Sequence, residues 1–259
     1  ESFCEMVART ADIINIKNIF RHNLYIDCIL LYNCHMNQFK SSWEFAFSNW
    51  KYFLALGLPL IVIESLSAFL IMPLGEMTQP EDFMEFFQSN SIVIGLVSIT
   101  GIILQMAFIG GLYLSYMAID SEKEINPIGA LQAGITKFFP LFGTFIIVTI
   151  VSAFGYLLLI LPGIYITARL ALFPFYIMLE DKKVFESISL SWENTDEYGS
   201  KLFVFTLIFI VLTLLIALVV TNLVSQGIVQ TILLALSEYI LVIPLGYIYY
   251  TLYKSLKVN

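Results

Sequence analysis

FVFTLIFIVLTLLIALVV, residues 203–220, decides the fold class. It holds no charged residue, and its only polar side chains are Thr206 and Thr213. A surface helix of a soluble protein would keep one polar face. A strand of a membrane barrel would alternate apolar and polar positions. This stretch is apolar on every side, as a helix crossing a bilayer must be. The rest of the chain agrees. Of its 259 residues, 59% are hydrophobic and only 13% are charged, against about 25% charged in soluble domains.

The uncharged runs give the number of crossings. Between Tyr52 and Gly75 the one charged residue is Glu64, and between Phe86 and Ile119 there is none. Between Phe138 and Leu179 only Arg169 is charged, and between Leu202 and Tyr253 only Glu238. A helix needs about 20 residues, at about 1.5 Å each, to cross a hydrocarbon core about 30 Å thick. The first two runs fit one crossing each and the last two fit a hairpin each. The expectation is an all-α, polytopic membrane protein. Its six transmembrane helices lie at 52–74, 91–119, 139–161, 164–180, 202–224 and 228–253, with Pro162–Gly163 as the tight turn between the third and fourth.

Lysine placement gives an orientation. Lys40, Lys51, Lys123, Lys137, Lys182, Lys183, Lys201, Lys254 and Lys257 all fall on one set of connections. The opposite connections, 75–90, 162–163 and 225–227, have neither Lys nor Arg. The positive-inside rule then puts both termini of a multi-pass membrane protein in the cytoplasm. The net charge of −7 points to no nucleic-acid partner, and four of its negatives (Glu76, Glu81, Asp82, Glu85) share one outer loop. No short apolar segment with a small-residue cleavage pattern precedes the first span.

Residues 1–35 differ in composition. They hold all three cysteines (Cys4, Cys28, Cys34), both histidines (His22, His35) and two of the three arginines. Cys28, Cys34 and His35 are candidate metal ligands, but their spacing matches no zinc pattern and a fourth ligand is missing. The reading favoured is an atypical extension, non-native or disordered, ahead of a transmembrane domain at 36–259 with Met36 as initiator. No cofactor and no metal are expected.

From Met36 onward the chain reads as one unit used three times, a short cytoplasmic amphipathic helix followed by a hairpin. Phe39, Trp43, Phe47 and Trp50 form the first stripe. Asn126–Pro127 reads as an N-cap with proline at the first helical position, followed by Ile128, Leu131, Ile135 and Phe138. Val184, Phe185, Ile188 and Trp192 form the third stripe. Such helices lie in the interface with their apolar face in lipid. Two stripes of small residues at four-residue spacing, Ala107/Gly111/Ser115 and Gly163/Thr167/Ala171, mark close helix packing.

The stretch from Leu161 to Phe203 resembles the YciC family of bacterial inner-membrane proteins. The likeness lies in "LPGIY", in Pro174 within "LFPF", in "EDKKVFESISLSW", and in the amphipathic helix ending at Trp192. "MNQFKSSWEFAFSN" (36–49) is a family-like start. The family belongs to a wider group that includes the membrane part of some glycerophosphodiester phosphodiesterases, whose catalytic barrel is a separate domain with no room in this chain. The resemblance implies fold and location and assigns no activity.

Three charges lie inside spans: Glu64, Arg169 and Glu238. An unpaired charge there costs about 2.5–3.5 kcal/mol or more. Counting from the turn at 162–163 places Arg169 in the outer half. Three readings stay open: an ion pair with Glu64 or Glu238 that fixes helix registry, snorkelling of Arg169 to lipid phosphates, or a site for a substrate or proton. The interior prolines Pro59, Pro174 and Pro244 favour the third, since transporters bind where helices break. No phosphate loop, dinucleotide fingerprint or metal helix is present. No histidine follows His35, so a Ser–His or Cys–His nucleophile is excluded from the membrane part. The acids of 180–201 alternate with lysines and hydroxyls as a solvated face does. The expected function is therefore non-enzymatic, with no catalytic residue, acting through membrane lipids or other membrane proteins in envelope or lipid homeostasis. The alternative is a transporter or channel for a small polar solute or proton.

Overall fold

The structure, a computed structural model, describes residues 23–258, with side chains from Met36 to Lys257. Among the described residues the order is α1 (Asn23–Ser48), α2 (Trp50–Ile71), a 3-10 turn (Met72–Gly75), α3 (Pro80–Asp120), α4 (Pro127–Thr136), α5 (Phe138–Leu158), α6 (Ile160–Leu170), α7 (Phe173–Glu180), α8 (Val184–Asn194), α9 (Gly199–Leu223) and α10 (Ile228–Val258). Residues 1–22, and with them most of the atypical extension, lie outside the described residues. So do the side chains of Cys28, Cys34 and His35.

Six helices are long and apolar enough to cross a membrane: Trp50–Gly75, Pro80–Asp120, Phe138–Leu158, Ile160–Glu180, Gly199–Leu223 and Ile228–Lys257. They are the six read from the uncharged runs. Ile160–Glu180 is the most enclosed, with 61% of its apolar window buried against 17–28% in the others. It is formed by α6 and α7, with α5 and α9 along α6 and α3 and α8 against α7. α2 packs on α3 and α10, and α10 also on α9.

One turn differs from the sequence reading. The chain reverses at Leu159, whose backbone is extended (φ −165, ψ 154), and Pro162 and Gly163 fall in the first turn of α6. Proline suits both roles, because the first turn of a helix has no use for its N–H. Gly163 is there for contact, since its Cα would lie only 2.9 Å from a Cβ placed on Gly155. The second small-residue stripe is thus a packing face, as its spacing implied. The first is one too, because a Cβ on Gly111 would meet the Ala130 backbone of α4 at 3.0 Å.

The core is concentrated at one end of the bundle. In α3 every buried residue lies between Met106 and Ala118, and in α9 between Gly199 and Phe209. Aromatic rings fill this end: Phe53, Tyr116, Phe175, Tyr176, Tyr250 and Tyr253 belong to one cluster. Pro244 lies inside α10. The Tyr116 hydroxyl donates to the carbonyl of Ile243, the residue before that proline, at 2.7 Å and so ties α3 to α10 there. At the rim Asp120 accepts from Lys254 at 2.6 Å and from Tyr250 at 2.9 Å. Glu180 accepts from Tyr253 and Lys257, each at 2.7 Å.

The short helices bury small residues and expose large ones. Asn126 caps α4 as expected, accepting from Ile128 N at 2.7 Å and Gly129 N at 3.3 Å. The buried residues of α4 are Ala130 and Gly134, while Ile128 is 65% exposed. In α8 the buried residues are Ser187 and Ser191, and Phe185 is 75% exposed. In α1, Ser42 is fully buried and Phe47 is exposed, although Phe39 and Trp43 turn in against Phe209.

Candidate functional site

The geometry around Arg169 begins with Pro174, in the first turn of α7. Proline offers no N–H to the carbonyl four residues back, here Leu170, and its ring crowds that turn. The fourth span therefore breaks at Ala171–Leu172. The break leaves polar backbone groups inside the protein, where each needs a partner. Leu172 N donates to Ser191 Oγ at 3.2 Å, and the Ser191 hydroxyl donates to the Arg169 carbonyl at 2.9 Å. The Thr195 hydroxyl lies 3.0 Å from that carbonyl and 2.7 Å from the Ser191 carbonyl. Ser187, Ser191 and Thr195, spaced by four, are all fully buried. Sequence reasoning missed this hydroxyl stripe because α8 also carries an apolar stripe, and pattern alone takes the apolar face as the buried one. Its spacing was the available signal.

The Arg169 side chain completes the junction and is only 4% exposed. Nε donates to Thr195 Oγ1 at 3.0 Å and Nη1 to the Tyr165 hydroxyl at 3.1 Å, while Nη2 donates to the Trp192 carbonyl. Nη1 pairs with Asp196 Oδ1 at 2.9 Å, and the guanidinium lies 4.2 Å from the Trp192 ring centroid. The planar fork of arginine suits such a divided set of partners and a stacked ring, which a lysine could not serve. The ion partner of Arg169 is thus Asp196, and neither Glu64 nor Glu238. A pair with Glu64 or Glu238, one of the three readings left open, is replaced by this one because the break at Pro174 lets α8 fold back beside α6 and bring 192–196 to the arginine. Arg169 therefore sits level with the 181–201 connection, and its placement near the opposite turn is corrected with it.

Glu64 and Glu238 come together elsewhere, between α2 and α10. Glu64 interacts with the Tyr239 hydroxyl, and Glu238 is near enough for its charge to be felt by both. Glu64 is half-buried and Glu238 exposed. The candidate trio is therefore split, Glu64 meeting Tyr239 with Glu238 nearby and the arginine apart from them.

Other polar groups are ordinary. On the exposed side of α8, Lys182 donates to Glu186 at 2.6 Å, which holds that carboxyl below the usual carboxylate range and raises the Lys182 ammonium. A groove between α3 and α5 is apolar apart from Gln105 and Thr149. Among the described residues no three His, Cys, Asp or Glu side chains gather as metal ligands would.

Over 85 residues the chain is 29% identical to a UPF0259 membrane protein of Photorhabdus laumondii subsp. laumondii, covering 33% of this chain and 33% of that protein. The match thus spans about a third of the curated relative. No family model matches the chain, and no solved structure matches it. The likeness agrees with the six apolar helices in describing a membrane protein, and it carries no activity.

Proposed function

We infer that the chain is a non-enzymatic, multi-pass protein of a bacterial inner membrane, acting through contacts with lipids or other membrane proteins in envelope or lipid homeostasis. The observation that carries this reading is the Arg169 junction. Each nitrogen of the buried Arg169 guanidinium has a protein partner, among Thr195, Tyr165, Trp192 and Asp196, so its charge serves the joining of helices. The sequence resemblance to the YciC family and the partial match to a membrane protein support the location. The helices read as three hairpins, each preceded by an interfacial helix on the lysine-bearing, cytoplasmic side. The outward large apolar side chains of α4 and α8 support that placement, since lipid would cover them.

A second reading has its own observation. Glu64 meets the Tyr239 hydroxyl with Glu238 close by, and among the described residues no basic side chain pairs with either acid, an arrangement suited to passing a proton or a small cation. Reconstituted liposomes decide between the two. The first reading expects no proton or cation flux above empty vesicles, and retained phospholipid in native mass spectrometry. Flux that Glu64→Gln abolishes would overturn it in favour of the second.

A further inference from the structure

The N-terminal half of α3 has three faces, and two of them have an evident use. Phe83, Phe86, Ile94, Val97 and Leu104 are partly buried. They turn toward the bundle, where α2 packs on α3 and Leu104 joins the core. Ile92, Leu96, Ile99 and Ile103 are exposed, the large aliphatic face that a helix shows to acyl chains. The third face is Gln88, Ser91, Gly95, Ser98, Ile102 and Gln105. Its steps of three and four residues average about 3.5, the repeat of a helix packed along one other helix. Small and polar side chains are what membrane helices present to each other, and acyl chains need neither.

Within the chain that third face is little used. A Cβ on Gly95 would meet nothing within 4 Å, so its small size serves no neighbour in the same chain. Gln88, Ser91, Ser98 and Ile102 are exposed. At its inner end the stripe opens into the groove between α3 and α5, where Gln105 stands across from Phe145 and Thr149. The side chains of Ser98, Gln105 and Thr149 make no hydrogen bond among the described residues. Hydroxyls elsewhere in the spans return to their own helix, as Thr100 does to the Leu96 carbonyl at 2.8 Å.

The rim contacts tell where the groove lies. Gln105 stands fifteen residues before Asp120, which pairs with Lys254, about 22 Å along the helix. Phe145 stands eight residues after Lys137, which pairs with Asp181, about 12 Å along α5. Both distances put the Gln105 amide inside the hydrocarbon, where an amide without a partner is costly. Acyl chains offer it none.

A second copy of the chain does. Copies enter the membrane in one orientation, so a two-fold axis along its normal sets α3 parallel to its mate. Each stripe residue then meets its own copy at the same height. A primary amide carries two donors and an acceptor, so it is complementary to itself. One heptad before Gln88 the same position holds Glu81. Like charges would meet there, and the seam ends.

We propose that the chain forms a two-fold dimer through the Gln88–Gln105 face of α3, with the two Gln105 amides hydrogen-bonded to each other at the α3–α5 groove. The proposal goes beyond the function inferred above and rests only on its membrane-spanning part. In the full chain with Cys4, Cys28 and Cys34 changed to Ser, single cysteines replace Ser98 or, on the acyl-chain face, Leu96. Membranes are washed with alkaline carbonate and the pellet is oxidised with copper–phenanthroline. Ser98→Cys is expected to give a disulfide-linked dimer at several-fold the yield of Leu96→Cys. At equal amounts of protein in the pellet, adding Gln105→Leu is expected to cut that yield several-fold, and Gln105→Asn to cut it less. Native mass spectrometry of the chain without cysteine changes is expected to show a dimer. Equal yields from Ser98→Cys and Leu96→Cys overturn the dimer, as does a yield that Gln105→Leu leaves unchanged. So does a mass spectrum of monomer carrying phospholipid alone, which would mean that lipid covers this face. Recovery of the protein in the carbonate supernatant would instead overturn the membrane-spanning reading.

Discussion

Arg169 and the Glu64–Glu238 pair are both charges inside apolar helices, and the protein treats them in opposite ways. The arginine is 4% exposed and has a partner on each nitrogen. Glu64 has the Tyr239 hydroxyl, with Glu238 close by, and neither acid pairs with a cation among the described residues. An arginine cannot shed its charge in a protein, so enclosing it requires a complete set of acceptors. A carboxyl group can take up a proton and become a neutral hydrogen-bonding group. The difference shows where fold specificity is invested. The Arg169 junction fixes how α6, α7, α8 and α9 meet, and the acids leave the pairing of α2 with α10 to apolar contacts such as that of Gly57, where a Cβ would lie 3.7 Å from the Tyr239 ring.

The sharpest way to break the comparison is to remove the arginine. Arg169→Leu takes from the Trp192 carbonyl its guanidinium donor and from the Thr195 hydroxyl the donor it accepts, although that hydroxyl keeps the Ser191 and residue-169 carbonyls, while Asp196, already exposed, regains water. Breaking a buried pair typically costs about 3–5 kcal/mol. The exposed partner puts this case at the lower end, about 3 kcal/mol, read as a fall in thermal stability in detergent. Arg169→Lys should recover less than half, because an ammonium cannot span the fork. A loss within measurement error would mean that the junction is incidental.

Much of this was legible in the sequence, and the limits have physical causes. Uncharged runs give the spans because hydrocarbon forbids charge, and Asn126–Pro127 gives the start of α4 because cap chemistry is local. Arg169 was visible as the odd residue for the same reason. Its partners were not, because Thr195 and Asp196 reach it only after Pro174 has broken the span and α8 has folded back. The Leu159 turn was missed because Pro162 and Gly163 serve a turn and a first helical turn equally well. The hydroxyl stripe Ser187/Ser191/Thr195 was readable at four-residue spacing, but a hydroxyl on a surface helix carries no sign of which face is buried.

The next test stays at the junction but leaves the charge in place. Ser191→Ala removes the acceptor of Leu172 N and one donor to the Arg169 carbonyl. An unsatisfied buried group costs about 1–3 kcal/mol, and the expected loss is about 1.5 kcal/mol, with faster hydrogen exchange at the Leu172 amide. Unchanged exchange there would show that the break does not need the hydroxyl.

A double-mutant cycle between Arg169→Leu and Asp196→Asn then measures their coupling. Because the Asp196 side chain is 78% exposed, water competes for it, and exposed pairs are worth about 0.2–1 kcal/mol. A coupling near the top of that range is expected. Cycles of Arg169→Leu with Glu64→Leu or Glu238→Leu should be additive, since neither acid contacts the arginine. Coupling to either acid would rejoin the two sites and undo the comparison.

The smallest effect is expected from the acids themselves. Glu64→Gln keeps an oxygen for the Tyr239 hydroxyl and removes the repulsion from Glu238, so the loss of charge and the kept contact nearly cancel. Glu238→Gln acts at an exposed position and removes the same repulsion from the other side. Substitutions away from partnered networks usually stay within about 0.5 kcal/mol, and both variants should fall in that range, with any departure toward greater stability. The double variant should match the sum of the singles apart from the shared repulsion, which either single change already relieves. A loss comparable to that of Arg169→Leu would mean that one of these carboxylates binds a cation tightly enough to hold α2 against α10. The two charge sites would then be alike in kind, each a partnered ion.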